Sequence, residues 1–123
     1  MKATVSTEWL SGCSGCHVAV VDLHEKLLGL VEEVDFVRVP VLMDEKGYPK
    51  ATVGIVEGAV RSEHDREALL KMRGSVDLLV TMHLPGIGML EFERTREVAA
   101  AGYEAAKTTV NDWASTRSEL GAP

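Results

Sequence analysis

The two most apolar segments of the chain constrain its fold more than any other feature. Residues 51–56 (ATVGIV) and 76–82 (VDLLVTM) consist mainly of apolar and β-branched side chains. A strand that is buried on both faces has this composition, and helices packed on both faces of a parallel sheet provide such burial. Between the two segments, residues 63–73 are predicted to form a helix with Ser62 as its N-cap. The pattern therefore predicts a layered α/β domain.

Weaker patterns complete the order of elements. Residues 3–7 and 34–39 alternate between polar and apolar side chains, as strands do. Apolar positions over residues 16–32 recur with the helical period, which predicts one amphipathic helix. The segment from about 90 to 119 is rich in Ala, Glu and Arg and has helical character. The order β-α-β-β-α-β-α predicts a mainly parallel sheet of about four strands and a long C-terminal helix.

A pair of cysteines near the N-terminus carries the clearest chemical signal. Cys13 and Cys16 are the only cysteines of the chain, and His17 follows at once. Thiolates bind soft metals and attack disulfides, so this spacing fits an iron–sulfur half-site, a zinc half-site or a thiol–disulfide pair. Two reduced, buried cysteines are the simpler alternative. A helix that starts here is expected to lower the pKa of the Cys16 thiol, and Gly12 and Gly15 let backbone N–H groups approach the sulfurs.

The predicted topology brings this cysteine loop to a shared edge of the sheet. The loops 9–16, 57–62 and 82–88 each follow a predicted strand. Ligands of parallel sheets bind beyond the carboxyl ends of the strands, so the three loops are expected to lie at the same edge. Glu57 comes directly after a buried strand and is therefore a candidate functional carboxylate.

Charge and hydropathy exclude several classes of function. The formal net charge is −6, whereas a nucleic-acid or anionic-membrane binder needs a basic face. No apolar run reaches the roughly 18 residues of a transmembrane helix. Residues 1–5 lack the apolar region of a signal peptide. We therefore expect a cytoplasmic protein without nucleic-acid partners and without membrane insertion.

Three stretches of the sequence resemble the small subunit of NiFe hydrogenases: WLSGCSGCHVAVVDLHEKLLGLVEEVDFVRVPVL, ATVGIVEGAV and LLKMRGSVDLLVTM. The resemblance covers about residues 3–82. Its specific marks are the Cys-x-x-Cys-His sequence after the first strand and the Glu-Gly-Ala turn after the third. The resemblance implies a three-layer, flavodoxin-like fold and an oxidoreductase role as the non-catalytic electron-transfer subunit. It also implies a hydrogenase large subunit as partner, with further electron-transfer subunits as candidates.

The resemblance also implies a cofactor and its ligands. In this family Cys13 and Cys16 correspond to ligands of a 4Fe–4S cluster. The family's third cysteine follows the strand over 76–82, where this chain reads HLPGIGML, and no cysteine follows. His83 stands near that third position, as a substitute ligand or an ordinary loop histidine, and His17 is a candidate additional ligand or hydrogen-bond donor beside the cluster. The residues implied at the cluster loop and the large-subunit interface are Trp9, Gly12, Gly15, Glu57 and Gly58.

The C-terminal third differs from the rest. Residues 84–106 resemble, more weakly, the C-terminal tail of patatin-like phospholipases, but the chain lacks the Gly-x-Ser-x-Gly nucleophile of lipase chemistry. We therefore expect a single domain in which residues 1–82 form the α/β core and residues 83–123 a divergent helical tail, or a junction near 80–84. Besides the electron-transfer subunit, two alternatives stay open: a cluster-less interaction or assembly module of the same fold, and a thiol–disulfide redox protein.

Overall fold

The computed structural model describes residues 2–80, 86–88 and 90–119. Contacts divide the chain into two compact units, Met1–Leu79 and Val80–Pro123. The elements in chain order are β1 (Ala3–Trp9), α1 (Gly15–Val21), α2 (Glu25–Glu33), β2 (Val34–Arg38), β3 (Ala51–Glu57), α3 (Glu63–Ser75), β4 (Val76–Val80), a 3-10 turn (Phe92–Arg94) and α4 (Thr95–Glu119).

The four strands form one sheet in the order β2-β1-β3-β4. β1 pairs in parallel with both β2 and β3, which places the start of the cysteine loop in the middle of the sheet edge. α1 and α2 lie on the face of the sheet that carries Val5, Phe36 and Ile55, and α3 packs on the opposite face at Gly54. The structure therefore confirms the predicted α/β fold, with a four-stranded parallel sheet flanked by helices and a long C-terminal helix.

α3 packs closely on its face of the sheet. Met72 is fully buried, and a Cβ atom built on Gly54 would lie 3.2 Å from its sulfur and 2.9 Å from Cγ1 of Val76. The absence of a side chain at residue 54 therefore lets the helix approach the strand. The other buried apolar residues of this unit are Val5, Leu10, Val39, Ala51, Ala68 and Leu78.

The predicted helix over residues 16–32 is wrong in one respect, because two helices occupy this segment. α1 ends at Val21 and α2 begins at Glu25. His24 between them has a φ of 51°, which an α-helix cannot contain. Valines at 18, 20 and 21 weaken the helical preference of α1, since β-branched side chains lose rotamer freedom in a helix. Helical period alone does not reveal this interruption.

An apolar cavity of about 400 Å³ lies between α1, α2 and the sheet. Its polar lining comes from Thr7, Cys16, His17 and Glu57, at the carboxyl ends of the strands. Among the apolar lining residues are Val5, Val20, Leu27, Leu30, Phe36 and Ile55.

The second unit is mainly the helix α4. Arg94 precedes it and forms ion pairs with Glu91 at 3.1 Å and Glu97 at 2.6 Å. The helix begins at Thr95, five residues after the predicted start near residue 90. Among the residues that the structure describes, no helix is both long enough and apolar enough to cross a membrane.

Candidate cysteine site at the sheet edge

The cysteine loop and the turn after β3 lie side by side, as predicted. The backbone N–H of Leu10 donates to the carbonyl of Glu57 at 3.0 Å, and that of Ala59 donates to Ser11 at 2.9 Å. Gly58 has a φ of 91°, and a Cβ atom at this position would lie 2.8 Å from the carbonyl oxygen of Ser11. Glycine is therefore required where the two loops approach each other.

The carboxylate of Glu57 joins the end of β3 to the first turn of α1. It accepts backbone N–H groups from Cys16 at 3.1 Å and from His17 at 3.3 Å, and it hydrogen-bonds Nδ1 of His17. The Nε2 atom of His17 lies 2.8 Å from the hydroxyl oxygen of Thr7 on β1. His17 is buried by these contacts, so its ring links two strands to the helix instead of facing solvent.

Glu57 also affects the ionisation of the Cys16 thiol. The hydrogen bond from the Cys16 thiol to Glu57, followed by burial and repulsion from the carboxylate, raises the pKa of Cys16. The prediction that the helix start lowers this pKa is therefore wrong, because a carboxylate occupies that position. Burial by itself raises the pKa of Glu57, but hydrogen bonds from His17 and Cys16 outweigh it and the net pKa is lowered.

The two thiols lie at the surface of this edge. Cys13 and Cys16 are both free and exposed. The indole Nε1 of Trp9 donates to the carbonyl of Gly12 at 3.1 Å, and 42% of the Trp9 surface stays exposed. A Cβ atom on Gly15 would lie 3.4 Å from the Cys13 sulfur, at van der Waals contact, so Gly15 and the Cys13 thiol are neighbours in this loop. The candidate ligand His83 lies outside the described residues.

Asp65 fixes the cysteine loop to α3. Its Oδ2 atom accepts the hydroxyl of Ser11 at 2.8 Å and the backbone N–H groups of Arg61 and Ser62 at 3.0 Å. Ser62 and Asp65 also form a capping box at the start of α3. The hydrogen bond from Ser11, then those from Arg61 and Ser62, outweigh burial and lower the pKa of Asp65 to about 2. The Ser-x-x-Asp pattern in the sequence is the signal that indicates this cap.

We expect the stability of the chain to fall in acid through Asp65. Its folded pKa of about 2 lies below the ordinary value of 3.8, so its contribution is complete above pH 3.8 and is lost as the pH falls towards 2. Asp65→Asn should be less stable than the wild type at pH 7, and the difference should close near pH 2. Urea unfolding at several pH values measures this. Asp44→Asn, in the exposed loop before β3, is the control. A difference in unfolding free energy between Asp65→Asn and the wild type that does not change with pH contradicts the prediction.

A buried ion pair at the base of the loop is not evident from the sequence. Glu8 Oε2 lies 3.0 Å from Nη2 of Arg38, and both side chains are less than a tenth exposed. Tyr48 donates its hydroxyl to Glu8, and the Arg38 guanidinium lies 4.5 Å from the centre of the Tyr48 ring. Burial, with the hydrogen bond to Glu8, raises the pKa of Tyr48 to about 12. In the sequence, the ion pair is indicated only by the charged residues Glu8 in β1 and Arg38 in β2.

The donor set of this edge fits half of a metal site. A 4Fe–4S cluster is normally held by four thiolates, and the chain has two. Within the described residues, no three His, Cys, Asp or Glu side chains are placed to hold a metal ion. Glu57 and His17 lie beside Cys16 but are engaged with each other and with the backbone. This chain by itself therefore does not fit a complete 4Fe–4S cluster.

Comparison with known families assigns the chain to one of them. A family model described as the 20 kDa subunit of NADH ubiquinone oxidoreductase matches residues 13–82, from the first cysteine to the end of the second apolar segment. This match covers more than half of the chain. The chain belongs to this family. Both cysteines, Glu57 and Gly58 all lie within the matched residues, so the candidate site belongs to the family core.

Hydrogenase subunits are among the similar proteins. One subunit of the F420-non-reducing hydrogenase of Methanothermobacter marburgensis is 39% identical over 82 residues, which cover 65% of this chain and 27% of that protein. A chain in the crystal structure of an NAD⁺-reducing NiFe-hydrogenase in the H2-reduced state matches with a TM-score of 0.64 and 33% identity, over 78% of this chain and 54% of that chain. The chain thus spans about a quarter of the length of the Methanothermobacter protein.

The resemblance of residues 84–106 to patatin-like phospholipases is not supported. An iron-sulfur subunit of the F420-non-reducing hydrogenase of Archaeoglobus profundus is 30% identical over 115 residues, which cover 83% of this chain and 36% of that protein. Residues 1–82 make up about two thirds of the chain. A match that covers 83% of the chain therefore includes part of the segment after residue 82. Similarity to a hydrogenase protein therefore extends past the point where the patatin-like interpretation begins.

Proposed function

We propose that the chain is an electron-transfer subunit of a NiFe-hydrogenase-type oxidoreductase complex and supplies Cys13 and Cys16 to an iron–sulfur cluster. The observation that carries the proposal is the exposed pair of thiols on a loop fixed by Glu57, within the residues that the family model matches. A subunit of this kind is not the catalytic one. Its proposed partner is the hydrogenase large subunit, and its proposed location is the cytoplasm.

The residues around the thiols have separate tasks in this proposal. Glu57 holds the first turn of α1, His17 holds Glu57, and Gly58 lets the two loops approach. Exposed thiols at the carboxyl ends of parallel strands lie where such sheets bind ligands. An iron–sulfur cluster, when bound, supplies one-electron transfer.

A cluster-less assembly module is the second candidate function. The observation that favours it is the donor set, since the chain supplies two thiolates where a 4Fe–4S cluster normally takes four. In that case the same surface binds a partner subunit without a metal. The two candidates predict the same partner and differ in iron content.

The test is anaerobic purification of the tagged chain from cells that also produce a NiFe-hydrogenase large subunit. We expect the large subunit to copurify, together with iron and acid-labile sulfide, and the complex to reduce a viologen dye with H2. The double variant Cys13→Ser/Cys16→Ser should lose the iron and the dye reduction. Ser14→Gly is the matched control, because Ser14 has a φ of 60° that glycine adopts readily.

The results separate the two candidate functions or exclude both. Copurification without iron in the wild type supports the assembly module and excludes the cluster. A failure of the large subunit to copurify contradicts both functions. Equal iron content in the wild type and the double serine variant excludes Cys13 and Cys16 as ligands.

A further inference from the structure

One exposed residue interrupts the helical segment that covers the apolar cavity. The segment Gly15–Glu33 consists of α1 and α2, and His24 lies in the junction between them. We propose that this segment alternates between the open form of this structure and a closed form, in which it is one continuous helix packed on the sheet with His24 as the hinge. The hinge acts whether or not a cluster binds at the cysteine loop, so it is separate from the proposed function.

His24 holds the interruption in an unfavourable backbone conformation. Its φ of 51° is combined with a ψ of −128°, which lies outside the small left-handed region open to residues with a side chain. The side chain is exposed and makes no capping hydrogen bond to α2. Strained backbone conformations cluster at switch regions, where the strain is part of the mechanism. A change of His24 to helical angles relieves this strain and joins the two helices.

The cavity supplies the space into which the segment closes. Across the cavity from the helices, Ile55 on β3 is 48% exposed, although it lies within the sheet, and Leu23 at the junction is 38% exposed. Protein interiors leave few voids larger than a water molecule, so about 400 Å³ of apolar space favours closure. Five apolar residues recur at the spacing of a single helix, and all of them line the cavity: Val20, Leu23, Leu27, Leu30 and Val31.

Both ends of the segment are fixed, and the distance between them suits one helix. Glu57 accepts the N–H groups of Cys16 and His17 at the start, and β2 follows directly after the end. A continuous helix over Gly15–Glu33 is about 27 Å long at 1.5 Å per residue. β1 is about 20 Å long, and the cysteine loop adds to that span at its carboxyl end. Closure therefore changes the space beside Cys16 without releasing its backbone from Glu57.

The backbone at the junction is hydrogen-bonded in the open form. The N–H groups of Leu23, Lys26 and Leu27 donate to carbonyls three residues earlier, at 3.3, 3.1 and 3.0 Å. In a continuous helix the same groups donate to carbonyls four residues earlier. Because these N–H groups have acceptors in both forms, the forms differ in strain and packing and not in lost hydrogen bonds. A small free-energy difference of this kind allows both forms to be populated.

Relaxation-dispersion NMR on the full, isotopically labelled chain tests the hinge. We expect exchange on the μs–ms timescale at residues 20–27, with the closed form populated at about 0.1–10% and with helical Cα shifts at residues 23–25 in that form. The methyl groups of Leu23 and Ile55, on opposite sides of the cavity, should exchange at the same rate as the backbone of His24. The methyl group of Met72, on the other face of the sheet, should show no exchange.

Two substitutions of His24 should move the ratio of closed to open form in opposite directions. His24→Ala raises helix preference and should increase the ratio about two- to threefold. Glycine adopts the open angles without strain, so His24→Gly should decrease it at least about tenfold. Gly29→Ala is the control, because residue 29 is helical in both forms and an added Cβ atom there meets no described atom within 4 Å. It should leave the ratio unchanged.

Three results overturn the hinge. The first is the absence of exchange at residues 20–27 in both the wild type and His24→Ala. The second is a ratio that moves in the same direction in His24→Ala and His24→Gly. The third is an Ile55 methyl group that shows no exchange while the backbone of His24 does, since the two helices would then join without closing the cavity.

Discussion

Glu57→Ala is expected to lower the free energy of unfolding by about 2–4 kcal/mol, because hydrogen bonds to a charged group contribute about 1.5–3 kcal/mol each and some lost bonds are replaced by water. The substitution removes the acceptor for the backbone N–H groups of Cys16 and His17 and for Nδ1 of His17. His17 is buried, so its ring nitrogen is left without that partner in a place where water has little access.

Urea unfolding followed by circular dichroism measures the effect of Glu57→Ala, and hydrogen exchange locates it. Amide protection should fall most in α1, since this helix begins at the carboxylate. Glu57→Gln keeps one acceptor oxygen and should cost less than Glu57→Ala. Glu25→Ala, at an exposed position at the start of α2, should change stability by less than about 0.5 kcal/mol. Equal losses for Glu57→Ala and Glu25→Ala are incompatible with the proposed role of Glu57.

Glu8→Ala is expected to destabilise the chain by about 3–5 kcal/mol, the usual cost of removing one partner from a buried ion pair. Arg38 would be left charged in a site where it is 9% exposed, with Nη1 still donating to the carbonyl of Thr7 at 2.6 Å. Tyr48 would lose the acceptor of its hydroxyl. Urea unfolding at pH 7 measures this loss.

A double variant distinguishes a lost ion pair from lost packing. Replacing both partners, as Glu8→Leu and Arg38→Met, should cost less than Glu8→Ala alone, because no unpaired buried charge remains. The exposed pair Arg66–Glu63 provides the control, and Arg66→Ala should cost less than about 1 kcal/mol. If the double variant is less stable than Glu8→Ala, the unpaired charge of Arg38 is not the cause of the loss in Glu8→Ala.

The ion pair also bears on the candidate site, through β1. The register pairs Ser6 with Arg38, and strand alternation puts Glu8 on the same face as Ser6. Glu8 is followed by Trp9, where the strand ends and the cysteine loop begins. The Glu8–Arg38 ion pair therefore fixes the start of the cysteine loop on one face of the sheet. The hydrogen bond between His17 and Thr7 fixes it on the other face.

Much of the fold could be predicted from local patterns. Apolar composition identifies β3 and β4, and the Ser62 cap identifies the start of α3 to the residue. The parallel topology then brings the Glu57 turn beside the cysteine loop. These features were predictable because burial, period and capping act over a few neighbouring residues.

Other features depended on contacts between distant residues. The raised pKa of Cys16 comes from Glu57, 41 residues away in the sequence. Glu8 and Arg38 meet only because β1 and β2 are adjacent, since charged residues in a strand otherwise indicate a solvent-facing side.

The sequence by itself determined the class of fold, the family core and the pair of thiols, because hydrophobic period and the Cys-x-x-Cys spacing are local properties. The tertiary structure alone decided which carboxylate holds the cysteine helix, that the pKa of the Cys16 thiol is raised and which side chains fix the loop. These outcomes depend on strand order and register, which bring residues 31 to 54 positions apart within hydrogen-bonding distance.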